Sequence, residues 1–214
     1  MYNILKEIFE LPFSNNIAFK WWTACYFIYW LDRFSTDLDF DIISDSKFWE
    51  NFDKQIMNIL KKYWNLKKWK KLILSYWYDD INIKIDLSRK TWKNNKYELV
   101  NFFWTDINIQ TKDTIFANKL VALTDRKRLA NRDIYDVYYF FTNNFSINEN
   151  LIYERTWKEL KEYLKKLLVF LKKLPKNYKI LEWLWEVVDE KQKSFIKNKL
   201  IHELIWILEM KIQF

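Results

Sequence analysis

Three aspartates occupy alternate positions, Asp37, Asp39 and Asp41, in the run STDLDFDII. Residues two apart in a strand share a face, so this spacing predicts a row of carboxylates projecting together. Carboxylates held side by side repel each other unless a cation or a proton lies between them. Mg2+ fits Asp37 and Asp39, because it is a hard ion that takes a few carboxylates and completes its shell with water and substrate phosphate. A solvated strand edge has the same spacing, and the pattern alone leaves both readings open. A second run, Asp80 to Leu87, alternates Ile81, Ile83, Ile85 and Leu87 with Asn82, Lys84 and Asp86. That is a half-buried strand with Asp86 on its polar face.

The elements that must position these groups follow from the flanking sequence. Asn16 to Ile43 reads as a short apolar strand, a sharp turn, an apolar helix, a polar loop and then the strand carrying the aspartates. Residues 1 to 13 form a short helix leading into it, with Pro12 near the end. Lys47 to Tyr63 spaces Phe48, Phe52, Ile56, Ile59 and Leu60 at helical intervals. Tyr97 to Ile109 supplies a further strand pair. From Thr114 the pattern turns helical: Ile115, Lys119 and Ala122 lie along one side, with Arg126 and Arg128 near the end. Asp133 and Asp136 then share a face at the start of the next helix. Read by residue type alone, Lys119, Arg132 and Asp133 form a salt bridge between helices. Asn148 to Phe214 reads as three helices. In the stretch Lys158 to Leu174 a basic face carries Lys158, Lys161, Lys165, Lys166, Lys172 and Lys173. Such a face is either simply solvated or a surface that tracks the phosphates of an RNA. The expected division is an α/β core over 1–112 and a helical part over 113–214.

The totals bound the class. The chain has 214 residues, half of them hydrophobic and 30% charged, and a formal net charge of +8. That balance suits a water-soluble protein with a sizeable core and a polyanionic partner. No apolar run is long enough to span a bilayer, and MYNILKEIFELPF lacks the pattern of a secretory signal, so a cytoplasmic location and no membrane partner are expected. With a single Cys25 and a single His202, an internal disulfide and a His/Cys zinc site are excluded.

Glycine is absent and tryptophan occurs 13 times, where ordinary usage would give roughly 15 glycines. The tryptophans stand where glycine is expected: Trp21 and Trp22 in the sharp turn, Trp30 and Trp64 after helix-like runs, Trp92 in a polar turn. The sequence reads either as one in which many or all of these positions are glycine in the natural protein, as happens when UGA is translated as tryptophan in a lineage that reads it as glycine, or as that of a lineage that uses tryptophan there.

Two blocks resemble the nucleotidyltransferase superfamily, and most closely the AbiE-type (AbiEii) toxins of type IV toxin–antitoxin systems. That family has a K-G-G-T-A-L turn into a helix followed by R-F-S-x-D-L-D-F. Here Lys20, Thr23 and Ala24 match the first block, and Arg33 to Phe40 match the second, with Trp21 and Trp22 in place of the two glycines. A later family pattern, A-x-K-L-x-A-L-x-x-R and then R-D-x-Y-D-L, is matched by Ala117, Lys119, Leu120, Ala122, Leu123, Arg126, Arg132, Asp133, Tyr135 and Asp136. The resemblance implies a polymerase-β-like core with a mixed sheet. It implies nucleotide binding at Trp21, Trp22, Thr23, Ser35 and Lys119, and metal binding by Asp37 and Asp39 with Asp86 as third carboxylate. Lys119 would contact the nucleotide phosphates and Asp133 would belong to the active site, as a base or as a brace for Lys119. The implied activity is Mg2+-dependent transfer from a nucleoside triphosphate to an acceptor such as tRNA, arresting growth during phage infection and held in check by a separately encoded antitoxin. Transfer to a small molecule or protein is the first alternative. An inactive nucleotide-binding relative, its turn blocked by Trp21 and Trp22, is the second.

Overall fold

Short runs of alternating or fully apolar residues give the two central strands, β1 (Ile17–Lys20) and β2 (Asp37–Ile42), which pair antiparallel with Phe19 opposite Phe40 and Lys20 opposite Asp39. The other strands are β3 (Leu66–Lys68), β4 (Leu72–Leu74), β5 (Ile83–Ser88), β6 (Tyr97–Phe102) and β7 (Thr105–Gln110). In the computed structural model they form one mixed sheet in the order β3-β4-β5-β2-β1-β7-β6. The pairs β1/β7 and β2/β5 are parallel, and the rest antiparallel. The structure describes residues 1–44, 49–63, 66–68, 72–74, 83–89, 91–126, 128–175 and 177–213. Phe48, Trp64, Ile81 and Asn82, named above, lie outside them.

The chain divides into two compact units. The first comprises 1–30, 34–91 and 96–111, and the second 31–33, 92–95 and 112–214. The first holds the sheet with α1 (Tyr2–Phe9), α2 (Trp21–Ile28) and α3 (Trp49–Lys61). Ile4, Leu5, Ile8 and Phe9 of α1 and Phe52, Ile56, Ile59 and Leu60 of α3 are buried. Phe40 of β2 packs against Phe9 and Phe19, with ring centroids 6.0 and 5.5 Å apart. With Leu38 and Phe40 turned into this core, the pleat sends Asp37, Asp39 and Asp41 to the opposite face. Their positions are thus set by the apolar residues between them.

The second unit is helical. Its centre is α4 (Lys112–Asp125), buried along nearly its whole length because α5 (Asn131–Thr142), α6 (Glu149–Thr156) and α7 (Leu160–Lys172) pack around it. Phe116 of α4 meets Phe140 and Phe141 of α5 edge-on at 5.3 and 4.8 Å. Two more helices follow, α8 (Glu190–Asn198) and α9 (Leu200–Gln213). From Asn148 onward the described residues thus hold four helices, where the sequence reading gives three. The spacing of LEWLW continues a helical pattern, yet Leu181 to Val187 form turns, with Trp183 in the left-handed region at φ 66°. A new helix starts only where Asp189 closes a capping box with Gln192. No helix among the described residues is long and apolar enough to cross a membrane.

Candidate active site

In the first unit, β1 passes straight into α2 with no intervening loop, and Trp21 takes φ 63° to make the corner. Thr23, in the first turn of α2, is fully buried. Its hydroxyl shares a 2.9 Å hydrogen bond with Ser35 and donates to the Asp37 carbonyl. Thr23 and Ser35 therefore fasten the start of α2 to the start of the aspartate strand.

Beyond that tie the three aspartates differ. Asp41 is almost fully buried and fully engaged: Lys20 Nζ lies 2.5 Å from its Oδ1, and Gln110 and Tyr97 donate to its Oδ2 at 2.6 and 3.1 Å. Asp37 and Asp39 make no hydrogen bond or ion pair through their side chains among the described residues. Asp39 is nevertheless only 6% exposed. Burial, and then the neighbouring charge of Asp37, raise its pKa from 3.8 to about 6, against the pull of Lys20 and Lys84. Across the parallel β2/β5 pairing Asp86 stands opposite Asp39 and adds to the push, while its own carboxylate lies 3.8 Å from Lys84. Among the described residues no three His, Cys, Asp or Glu side chains converge as a ready-made metal cage. A buried carboxylate beside a second one, with no cation of the described residues within ion-pair distance of either, is a donor set short of positive charge. That fits a hard ion held by one or two carboxylates, with water and phosphate oxygens filling its remaining positions.

In the second unit α4 and α5 bury a charged cluster. Lys119 is 2% exposed, and Asp133 and Asp136 are fully enclosed. Lys119 Nζ lies 3.6 Å from Asp133 and 3.9 Å from Asp136. Arg33 holds Asp136 with both arms, Nε to Oδ1 at 2.6 Å and Nη2 to Oδ2 at 2.8 Å. Arg126 Nε lies 3.4 Å from Asp133 Oδ2, yet among the described residues neither Asp133 oxygen receives a hydrogen bond. Three basic side chains, Lys119, Arg33 and Arg126, thus face two carboxylates. Burial carries the Lys119 pKa well below the usual lysine range; Asp133 and Asp136 oppose that, and Arg33 and Arg126 add to it. Burial likewise raises the Asp136 pKa, with Arg33 acting against it.

A family model described as "Nucleotidyl transferase AbiEii toxin, Type IV TA system" matches residues 3–185. The chain belongs to this family. It is a nucleotidyltransferase of the AbiEii toxin group, which is paired with a separate antitoxin. Two solved structures share the fold. JHP933 from Helicobacter pylori has a TM-score of 0.57 at 18% identity over 99% of this chain and 90% of its own. A second H. pylori structure, with a provisional nucleotidyltransferase assignment, has a TM-score of 0.54 at 18% identity over 99% and 93%. Among curated protein sequences there is no match.

The AbiEii blocks read from the sequence fall into the two clusters just described. Asp37, Asp39 and Asp86 share one face of adjacent strands, with Thr23 and Ser35 bracing the near end, while Lys119 and Asp133 meet in the helical unit. Where residue type suggests Arg132 as partner of Asp133, Arg126 and Arg33 supply the cations that meet the two buried carboxylates. Sequence reasoning also leaves Arg33, Lys20, Gln110 and Tyr97 without a role. The available signal is charge in apolar surroundings: Lys20 ends an otherwise apolar strand, and Asp136 sits in the mostly apolar run IYDVYYFF. Such charges are rarely buried unpaired.

Proposed function

We propose that this AbiEii-type enzyme transfers a nucleotide from a nucleoside triphosphate to tRNA with Mg2+, acting in the cytoplasm as the growth-arresting toxin of a phage-defence pair. Asp37 and Asp39, helped by Asp86, are the residues that would hold the metal. The observation that carries this is the buried Asp39 carboxylate beside Asp37, with no cation of the described residues within ion-pair distance of either. Bound there, Mg2+ would supply charge neutralisation at the triphosphate and activation of the attacking hydroxyl. The chain's own residues do the rest. Thr23 and Ser35 hold the aspartate strand at the head of α2, and the positive end of that helix favours phosphate. Lys119, kept in place by Asp133 and Asp136, offsets negative charge on the leaving phosphates, and Asp133 acts as its brace. The acceptor reading is supported by charge placement. The second unit carries 22 of the 36 Lys and Arg residues but 15 of the 28 Asp and Glu, so +7 of the net +8 lies there. Phosphate-rich RNA matches that surplus.

The test is transfer of labelled nucleotide to total tRNA in Mg2+, with the chain as written beside a version carrying glycine at all 13 tryptophan positions. Transfer by either folded protein, lost in Asp39→Asn, supports the reading. No transfer by either redirects it to a small-molecule or protein acceptor. A second reading, a nucleotide-binding relative without activity, is favoured by one observation. The Trp21 indole sits at the head of α2 with Lys20 Nζ 4.7 Å from its ring centre, where a phosphate would approach.

A further inference from the structure

Among the described residues seven have φ in the left-handed region, and five of them are tryptophan: Trp21 (63°), Trp30 (58°), Trp104 (67°), Trp157 (57°) and Trp183 (66°). The other two are Phe103 (46°) and Asn144 (53°). A Cβ makes this region costly, and a bulky side chain is seldom found there. Asparagine tolerates it and glycine is at home in it. Ten of the 13 tryptophans lie among residues with a described backbone, so half of those sit where glycine is the ordinary occupant.

Local geometry makes the same demand at four of the five places. Trp157 is the left-handed C-cap of α6, its N–H donating to the Tyr153 carbonyl at 2.8 Å. Trp30 follows the C-cap Tyr29 of α2. These are the helix ends at which a left-handed glycine stops the helix. Phe103 and Trp104 form the two-residue loop of the β6–β7 hairpin, both with positive φ. That is the pattern of the type I′ turn, whose second residue is usually glycine. Trp21 makes the loopless corner from β1 into α2. The side chains contribute little packing in return: Trp30, Trp104, Trp157 and Trp183 are 81, 94, 79 and 68% exposed. An evolved tryptophan would be expected to bury its large apolar surface. Here the backbone conformation is specified and four of the five indoles lie mostly in solvent.

We infer that the polypeptide made in its own cell carries glycine at positions 21, 30, 104, 157 and 183, through a genetic code that reads UGA as glycine. Tryptophan at these sites is the product of translating the same codons by another table. This accounts together for the excess of tryptophan and the left-handed backbone at these sites.

Peptide mass spectrometry of the protein isolated from the organism that carries the gene reads these positions directly. Glycine at the five sites is the expected result, and tryptophan there overturns the inference. A second measurement needs no native source. The chain as written and a version with Trp21, Trp30, Trp104, Trp157 and Trp183 all changed to glycine are compared by thermal unfolding. The glycine version should have a Tm higher by roughly 10 °C or more, given five relieved left-handed positions in a chain of this length. An unchanged or lower Tm would count against it. Neither readout involves nucleotide transfer, so each is decided independently of the enzymatic reading.

Discussion

Replacing Asp39 by asparagine separates what the carboxylate does for the reaction from what it costs the fold. Its pKa in the folded chain is about 6 against an ordinary 3.8, which corresponds to about 3 kcal/mol of penalty for the ionised form in the metal-free protein. The sign is that of a carboxylate with a raised pKa. The group favours folding below pH 4, and that contribution is lost as pH rises through about 6. Asparagine keeps the shape and removes the charge, so about 3 kcal/mol is the ceiling on its gain. In a chain of this length that gain reads as a Tm increase of up to roughly 6–12 °C. Metal-free Asp39→Asn protein should therefore unfold at higher temperature than the parent at pH 8 and at the same temperature near pH 4. Mg2+ should raise the parent's Tm at pH 8 but not the variant's, and nucleotide transfer should disappear. The assay is thermal unfolding across pH 4–8 with and without Mg2+, beside the transfer assay. A variant no more stable than the parent at pH 8, or a difference that does not shrink toward pH 4, would refute the charge argument. Retained transfer would refute the metal assignment.

Asp41→Asn should destabilise the protein by about 3 kcal/mol in urea unfolding, because Lys20 is left buried without its carboxylate. Arg33→Met should cost about 3–5 kcal/mol by stranding buried Asp136, and adding Asp136→Leu should recover most of it; a double variant as unstable as the single would argue against the pairing. Nucleoside triphosphate binding should take up a proton at Lys119, whose pKa is depressed by burial. Affinity should then fall as pH rises through that depressed value, and calorimetry in buffers of different ionisation enthalpy should show uptake that Lys119→Met abolishes.

The central part of the fold is legible because its signals are local. The alternation in STDLDFDII sets the aspartates on one face, the Tyr97–Ile109 pattern gives a hairpin, and the helix pair around Lys119 and Asp133 follows the apolar period. What is not legible depends on register and long-range meeting. Spacing puts Asp41 in line with Asp37 and Asp39, but only the antiparallel pairing shows that Lys20, seated opposite Asp39, reaches along the strand to take Asp41 instead. That contact turns one member of an apparent ligand row into a brace. Arg33 and Asp136 are 103 residues apart, and no spacing rule links them. The C-terminal count fails for another reason: helical periodicity persists through Leu181 to Val187, but the backbone there is interrupted by a left-handed residue.

The match to the AbiEii family ends at residue 185, yet the chain beyond it is not an appendage. Gln192 of α8 donates to the Asp32 carbonyl at 2.6 Å and to the Tyr135 hydroxyl at 3.0 Å, and that hydroxyl donates to the Asp32 carboxylate at 3.0 Å. Asp32 is the neighbour of Arg33 and lies five residues before Asp37. The segment beyond the family match is therefore stitched to the stretch that carries Asp32 and Arg33. A change at residue 192 would loosen the Asp32–Tyr135 seam rather than act on the C-terminal helices alone.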